Sequence, residues 1–266
     1  LGGNVREASQ SEIDDHIFYT KLSAASYCRR VIPLNIWNCK HCDKSLKLIK
    51  TFSTLVDDTN AMILRGDQQK KIYVVFRGTN SVRSFVVDAK FSLADYPLAK
   101  GAKVHKGFLA SYNAIRDKVI QTLDAQVEQY PDYQVAITGH SLGGAQAVLH
   151  ALDLLNVNGT RYNADNMLLY TQGQPRVGNL KFAQYELDSK IPVKRLTSKR
   201  DLIPHLPPLP MLYINAGEEY WIPSDDNTKV KVCPNGLESP HCANSISPFT
   251  SLMDHLSYFG INLGLC

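Results

Sequence analysis

An α/β protein is what the sequence predicts: a single domain with a mainly parallel central sheet and helices packed against it. Three observations carry that expectation. Short apolar and β-branched runs alternate along the chain with stretches whose apolar residues recur at three and four residue spacing. Residues 134–146, QVAITGHSLGGAQ, read as a buried strand, a tight turn and a helix in immediate succession. The chain of 266 residues contains no Gly/Ser or Pro-rich tract that could serve as a linker, so a second domain has no obvious place to begin.

The elements follow in order. Residues 9–28 read as a helix opened by Ser9, with Glu12 three residues on completing a capping box, and Ile13, Ile17, Ala24 and Tyr27 share a face that can dock on a core. A cysteine-rich loop runs to Asp43. Residues 61–64 and 72–76 read as strands joined by a turn at Gly66 and Asp67. The second strand ends at Arg77, Gly78, Thr79 and Asn80, where glycine and small polar residues replace the β-branched run. Over 81–93, Val82, Phe85, Val86, Ala89 and Leu93 fall on one stripe while Arg83, Asp88 and Lys90 lie off it, which predicts a short amphipathic helix. Two readings of that helix stand: permanent packing on the core, or a mobile lid placed directly after a strand end. A long helix is expected over 107–129, with Phe108, Tyr112, Ile115, Val119, Leu123 and Val127 inward. After the strand and helix of 134–155 come a strand at 167–171, a helix near 182–187 and a strand at 193–196. Strands at 213–222 and 230–233 and a closing helix at 252–259 complete the chain.

Composition narrows the function. The formal charge of +4 is spread over lysines and arginines without interleaved aromatics, which argues against nucleic acid binding. No apolar run reaches the length of a membrane span. Leu1, Gly2 and Gly3 resemble the product of processing, the expected start of a mature secreted protein. Six cysteines allow fifteen pairings. The close pairs Cys39 with Cys42 and Cys233 with Cys242 suggest local loops, leaving Cys28 and Cys266 by elimination. A zinc or redox reading of Cys39-Lys40-His41-Cys42 lacks both a second C-x-x-C and a βαβ context. Asn158-Gly159-Thr160 is the one N-x-S/T acceptor and, with the cysteines, favours export.

Gly139, His140, Ser141, Leu142 and Gly143 form a G-x-S-x-G pentapeptide between strand and helix, the context of a nucleophile elbow. A serine hydroxyl is a poor nucleophile at neutral pH, so it needs a histidine to take its proton and an acid to orient that histidine. On an elbow the partners follow in the order serine, acid, histidine. His205, His241 and His255 lie beyond the elbow helix; His255, late in the chain, fits the order best, with Asp201 at the end of the 193–196 strand as its acid. Asp254 is the rival acid, although an immediate neighbour normally points away.

Six blocks then carry a resemblance: FRGTNS at 76–81, KVHKGF at 103–108, TGHSLGGAQA at 138–147, QGQPRVGN at 172–179, RDLIPHLPP at 200–208 and MDHLSYFGIN at 253–262. Together, in this order, they resemble secreted filamentous-fungal triacylglycerol lipases of the Rhizomucor and Rhizopus type. The resemblance implies an α/β-hydrolase fold over residues 1–266, with Ser141 as nucleophile, Asp201 as acid and His255 as base. It implies Thr79 as an oxyanion donor through side chain and backbone, and the Leu142 N–H as the other. It implies a lid over about 80–96, with Val82, Phe85, Val86 and Ala89 on its apolar face and Asp88 supporting Thr79 when the lid is open. It supports pairing Cys28 with Cys266, Cys39 with Cys42 and Cys233 with Cys242. No metal and no cofactor are expected; the implied partners are acyl esters and a lipid–water interface, met by a secreted monomer. The chain departs at Phe85, where one close relative has tryptophan, and at 213–217, YINAG against FLHAG, which leaves acyl-length preference open. A soluble carboxylesterase or feruloyl esterase of the same fold is the alternative, for which a more polar lid would be expected.

Overall fold

The structure, a computed structural model, describes residues 4–55, 58–79, 82 and 91–266. Connection length sets the direction of its strands. The four residues between β3 (Asn60–Gly66) and β4 (Lys71–Arg77) leave room only for an antiparallel hairpin, whereas parallel neighbours need a crossover of a dozen residues or more. Among the described residues nine strands form one sheet. Its order is β1 (Arg6–Glu7), β11 (Lys231–Leu237), β10 (Ala216–Ile222), β9 (Val193–Ser198), β8 (Met167–Gln172), β7 (Gln134–His140), β4, β3, β2 (Leu46–Ser53). Strands β4, β7, β8, β9 and β10 run parallel, and antiparallel strands flank them on both sides. The sheet is therefore mixed, parallel in the centre where the site is built and antiparallel at its edges.

Among the described residues four longer helices cover it: α1 (Gln10–Ser26), α2 (Lys106–Gln129), α3 (Leu142–Val157) and α4 (Leu180–Asp188). The expected capping box opens α1: Ser9 Oγ accepts the Glu12 N–H at 3.2 Å and the Ser9 N–H donates to Glu12 Oε1 at 2.9 Å. Alternate residues of β4 serve opposite faces. Ile72, Val74 and Phe76 pack with α2 and α3, while Tyr73 and Val75 pack with Tyr19, Leu22 and Ala25 of α1. A strand buried on both faces reads as the continuous apolar run seen in the sequence.

Several expectations shift. β2 was not anticipated, because Lys47 and Lys50 break its apolar pattern; they lie on an edge strand, where lysine discourages pairing with another chain. The closing helix over 252–259 is instead a single 3₁₀ turn, Met253–Leu256, followed by a hairpin of β12 (Ser257–Tyr258) and β13 (Ile261–Asn262). Phe259 and Gly260 both take positive φ, 53° and 73°, as a two-residue hairpin turn requires and a helix forbids. Leu93, placed on the amphipathic stripe, opens β5 (Leu93–Asp95), which pairs with β6 (Lys103–His105). Of the stripe itself, Val82 is helical and buried. Phe85, Val86, Asp88 and Ala89 lie outside the described residues.

All six cysteines are paired: Cys28 with Cys266, Cys39 with Cys42 and Cys233 with Cys242. The first ties the end of α1 to the last residue of the chain. No described helix is long and apolar enough to cross a membrane.

Candidate active site

Ser141 sits where β7 gives way to α3, with φ 61° and ψ −128°, a backbone conformation that L residues rarely adopt. Its flanking glycines are dictated by contact. A Cβ on Gly139 would stand 2.2 Å from the Gly143 carbonyl oxygen, and one on Gly143 would stand 2.2 Å from the Phe76 carbonyl oxygen. Helix α3 begins at Leu142, so the first N–H groups of that helix, which have no intrahelical acceptor, and the positive end of its dipole lie beside Ser141. The end of β4 closes on the same point: a Cβ at Gly78 would lie 3.2 Å from Ser141 Cβ, and half-buried Thr79 is the residue that follows Gly78.

Asp201 and His255 arrive from other connections. Asp201 follows β9 at the start of the long 199–215 crossover, and an isolated bridge to Ser251 fixes it against the segment that leads to His255. Asp201 Oδ1 accepts the Ile203 N–H at 2.9 Å. Asp201 Oδ2 accepts His255 Nδ1–H at 2.8 Å and also the Tyr258 hydroxyl. Asp201 and His255 are 2% and 0% exposed. With Nδ1 turned to the carboxylate, Nε2 is the ring nitrogen left to face a substrate proton; among the described residues it has no hydrogen-bond partner, and none joins it to Ser141 Oγ. Gly173 (φ 58°) packs on this pair so closely that a Cβ there would fall 2.8 Å from His255 Cε1 and 2.9 Å from Asp201 Oδ2. Burial, and Asp201 beside it, push the Tyr258 phenol well above its ordinary range, so it remains a donor.

The other candidates lie apart from this cluster. His241 is exposed at the start of a 3₁₀ turn beside Cys242. His205 ends a 3₁₀ turn, its carbonyl held by Arg176. Asp254 Oδ2 accepts the Arg200 N–H at 3.0 Å, as expected of a neighbour pointing away from His255. Tyr213 of the YINAG stretch is buried and donates its hydroxyl to the Phe91 carbonyl at 2.8 Å. Large apolar side chains stand exposed on the two connections that carry the acid and the histidine: Leu212 at 69%, Phe249 at 71% and Met253 at 74%. No cluster of histidine, cysteine and carboxylate groups suited to a metal occurs among the described residues.

Tyr258 lies three residues after His255, yet no local pattern marks it as a partner of Asp201. Tyr27 was read only as a core residue, with no local signal for its place 113 positions before its partner His140.

Residues 73–211 match the model of the class 3 lipases. The whole chain is 52% identical to a lipase of Rhizomucor miehei, covering 74% of that protein, and 45% identical to a lipase of Rhizopus niveus, covering 68% of it. Among solved structures, a triacylglycerol lipase described as having a serine protease triad for its catalytic centre superposes with a TM-score of 0.96. It is 52% identical, and the match covers 99% of this chain and 100% of the other.

Proposed function

The chain belongs to the class 3 lipase family, on an α/β-hydrolase fold, and from that premise we propose that it hydrolyses long-chain acylglycerol esters at a lipid–water interface through an acyl-enzyme on Ser141. The observation that carries the reading is the buried Asp201–His255 pair, whose imidazole stacks on His140, the residue before a serine held at a strained elbow, and whose Nε2 has no hydrogen-bond partner. In acylation Ser141 Oγ attacks the ester carbonyl carbon while its proton passes to His255 Nε2, and the carboxylate of Asp201 stabilises the imidazolium. The carbonyl oxygen becomes an oxyanion met by Thr79 and the Leu142 N–H. As the tetrahedral species collapses, the carbon–oxygen bond to the glycerol moiety breaks and Nε2–H protonates the departing alcohol. Water then gives a proton to Nε2 and attacks the acyl-enzyme, and the second collapse returns the proton to Ser141 and frees the fatty acid.

Residues 80–96 serve in this reading as the lid, with Val82, Phe85, Val86 and Ala89 facing the site or, once open, the lipid. Asp88 supports Thr79 in the open form. The exposed Leu212, Phe249 and Met253 support contact with lipid, and the three disulfides support export to an oxidising compartment, where the protein acts as a monomer. The deciding experiment is hydrolysis of one triglyceride measured below and above its solubility limit, beside Ser141→Ala and labelling by an organophosphonate. A rise in rate at the limit, loss of turnover by several orders of magnitude in Ser141→Ala and stoichiometric labelling of Ser141 are expected. Substantial turnover by Ser141→Ala would refute the assignment, and a smooth rate through the limit would refute the lid.

A further inference from the structure

Two buried groups next to His255 take no part in those steps. Tyr27, the residue after α1, packs its hydroxyl against Gly78 and lies with that hydroxyl 2.7 Å from His140 Nδ1. His140 Nε2 lies 2.9 Å from the carbonyl oxygen of His255. The two imidazole rings stack with centroids 4.4 Å apart and planes inclined by 25°. A carbonyl can only accept, so His140 Nε2 carries the hydrogen. Burial, and then His255 alongside, hold His140 well below the ordinary imidazole range, so it is neutral and its Nδ1 is bare. Nδ1 therefore accepts from Tyr27. One assignment of hydrogens satisfies the run: Tyr27 O–H to His140 Nδ1, and His140 Nε2–H to His255 O.

We propose that this run is a positioning relay, in which Tyr27 and His140 hold the strand end that carries Thr79 and the backbone of His255 in one fixed relation. The proposal rests on the hydrolytic reading above. His255 sits in a four-residue 3₁₀ turn, too short to fix it by its own hydrogen bonds. Its ring is held by Asp201 and its backbone by His140; without the second hold, Nε2 drifts from Ser141 Oγ. A misplacement of about 1 Å in a reacting pair is sufficient to lower the rate roughly a hundredfold. Stacking adds a second contribution, because the imidazolium formed during acylation lies over a neutral ring face that can stabilise it. The titratable and charged groups around the relay are Arg77 beside Tyr27, Tyr258 at 6.1 Å from His140, and Asp201 beyond His255. Gly78, at the strand end that carries Thr79, belongs to the relay by shape, since a Cβ there would fall 2.4 Å from Tyr27 Oη and 2.6 Å from the His140 carbonyl oxygen.

The test compares His140→Phe, His140→Gln and Tyr27→Phe on a water-soluble short-chain p-nitrophenyl ester, with active protein counted by phosphonate titration. His140→Phe keeps the ring and loses the donor; Gln restores an N–H near the position of Nε2; Tyr27→Phe removes a single oxygen and reports on the relay even if His140→Phe does not fold. The relay requires His140→Phe and Tyr27→Phe to lower kcat at least tenfold with KM within about twofold, and to displace the acid limb of the kcat/KM pH profile. It requires His140→Gln to recover most of the loss. Wild-type kcat and acid limb in the folded variants, or a Gln variant no better than Phe, overturn it. With Ser141→Ala inactive, such a result sinks the relay alone; an active Ser141→Ala sinks the hydrolytic reading and the relay with it.

Discussion

Glu186 of α4 should make the protein less stable as the pH rises, and Glu186→Gln should remove the effect. Its side chain is 4% exposed and Oε1 has no hydrogen-bond partner. Burial pushes its pKa up from 4.5 to about 8, with Arg195 opposing. Arg195 cannot serve it fully, since Nε donates to the Ala216 carbonyl at 3.0 Å and Nη2 also faces Glu219 Oε1 at 4.0 Å. The folded state thus holds the proton more tightly than the unfolded chain. The stabilisation this provides is complete below pH 4.5, declines between 4.5 and about 8, and is gone above that window. At about 1.4 kcal/mol for each tenfold difference in proton affinity, the span from 4.5 to 8 corresponds to a ceiling of about 5 kcal/mol. Glutamine has nearly the same shape and no proton to lose. Urea unfolding of both proteins at pH 5, 6.5 and 8.5 should therefore show little difference at pH 5 and an advantage for Glu186→Gln that grows to a few kcal/mol at pH 8.5. An advantage independent of pH would mean that Glu186 does not titrate in the folded protein, and the argument from its burial would fail.

Three further outcomes are expected. Thr79→Val should lower kcat roughly a hundredfold or more with little change in unfolding midpoint, because one oxyanion donor is typically worth about 3 to 4 kcal/mol; an unchanged kcat removes the hydroxyl from the mechanism. Phe249→Ser should weaken adsorption to triglyceride emulsions while leaving turnover of a soluble short-chain ester near wild type, as binding isotherms and parallel rates would show. His16, buried with neither ring nitrogen bonded, is pushed down to about 3 by burial. Its contribution to stability is complete above pH 6.5 and is lost as the pH falls toward 3, so His16→Phe should gain on wild type at pH 4 relative to pH 8 in thermal melts.

The parts of this fold that were legible in the sequence are those in which a local rule and the tertiary structure agree. Ser9 and Glu12 announce α1, the inward row from Phe108 to Val127 announces α2, and the glycines around Ser141 announce a turn whose sterics admit nothing larger. The edge strand β2 was hidden because an edge strand needs only a partial apolar pattern. The stretch 252–259 misled because Leu252, Leu256 and Phe259 recur at helix-like spacing, while positive φ angles at Phe259 and Gly260 turn its end into a hairpin. Asp201 and His255 could be ordered by sequence, but their contact depends on a bridge between Asp201 and Ser251 that no local pattern encodes. Tyr27, His140 and Tyr258 are harder still: a tyrosine hydroxyl finds its partner only once the fold has brought distant segments together.

Burial of the site separates two events that interfacial catalysis would otherwise appear to merge. Ser141, Asp201 and His255 are 1%, 2% and 0% exposed, so an ester carbonyl cannot reach Ser141 Oγ until some part of the surrounding surface moves aside. Leu212, Phe249 and Met253, by contrast, are already in contact with solvent. Their transfer to lipid is worth roughly 1.5 to 3 kcal/mol for each side chain fully withdrawn from water, and it requires no opening. Adsorption can therefore precede access. An opening that costs about 4 kcal/mol in water would leave roughly one molecule in a thousand open. On a lipid surface the newly exposed apolar side chains meet acyl chains in place of water, and most of that cost disappears. If, as proposed, the 80–96 segment is the lid, substitutions at Leu212, Phe249 or Met253 should alter how much protein reaches the interface, and substitutions in that segment should alter what fraction of it is open.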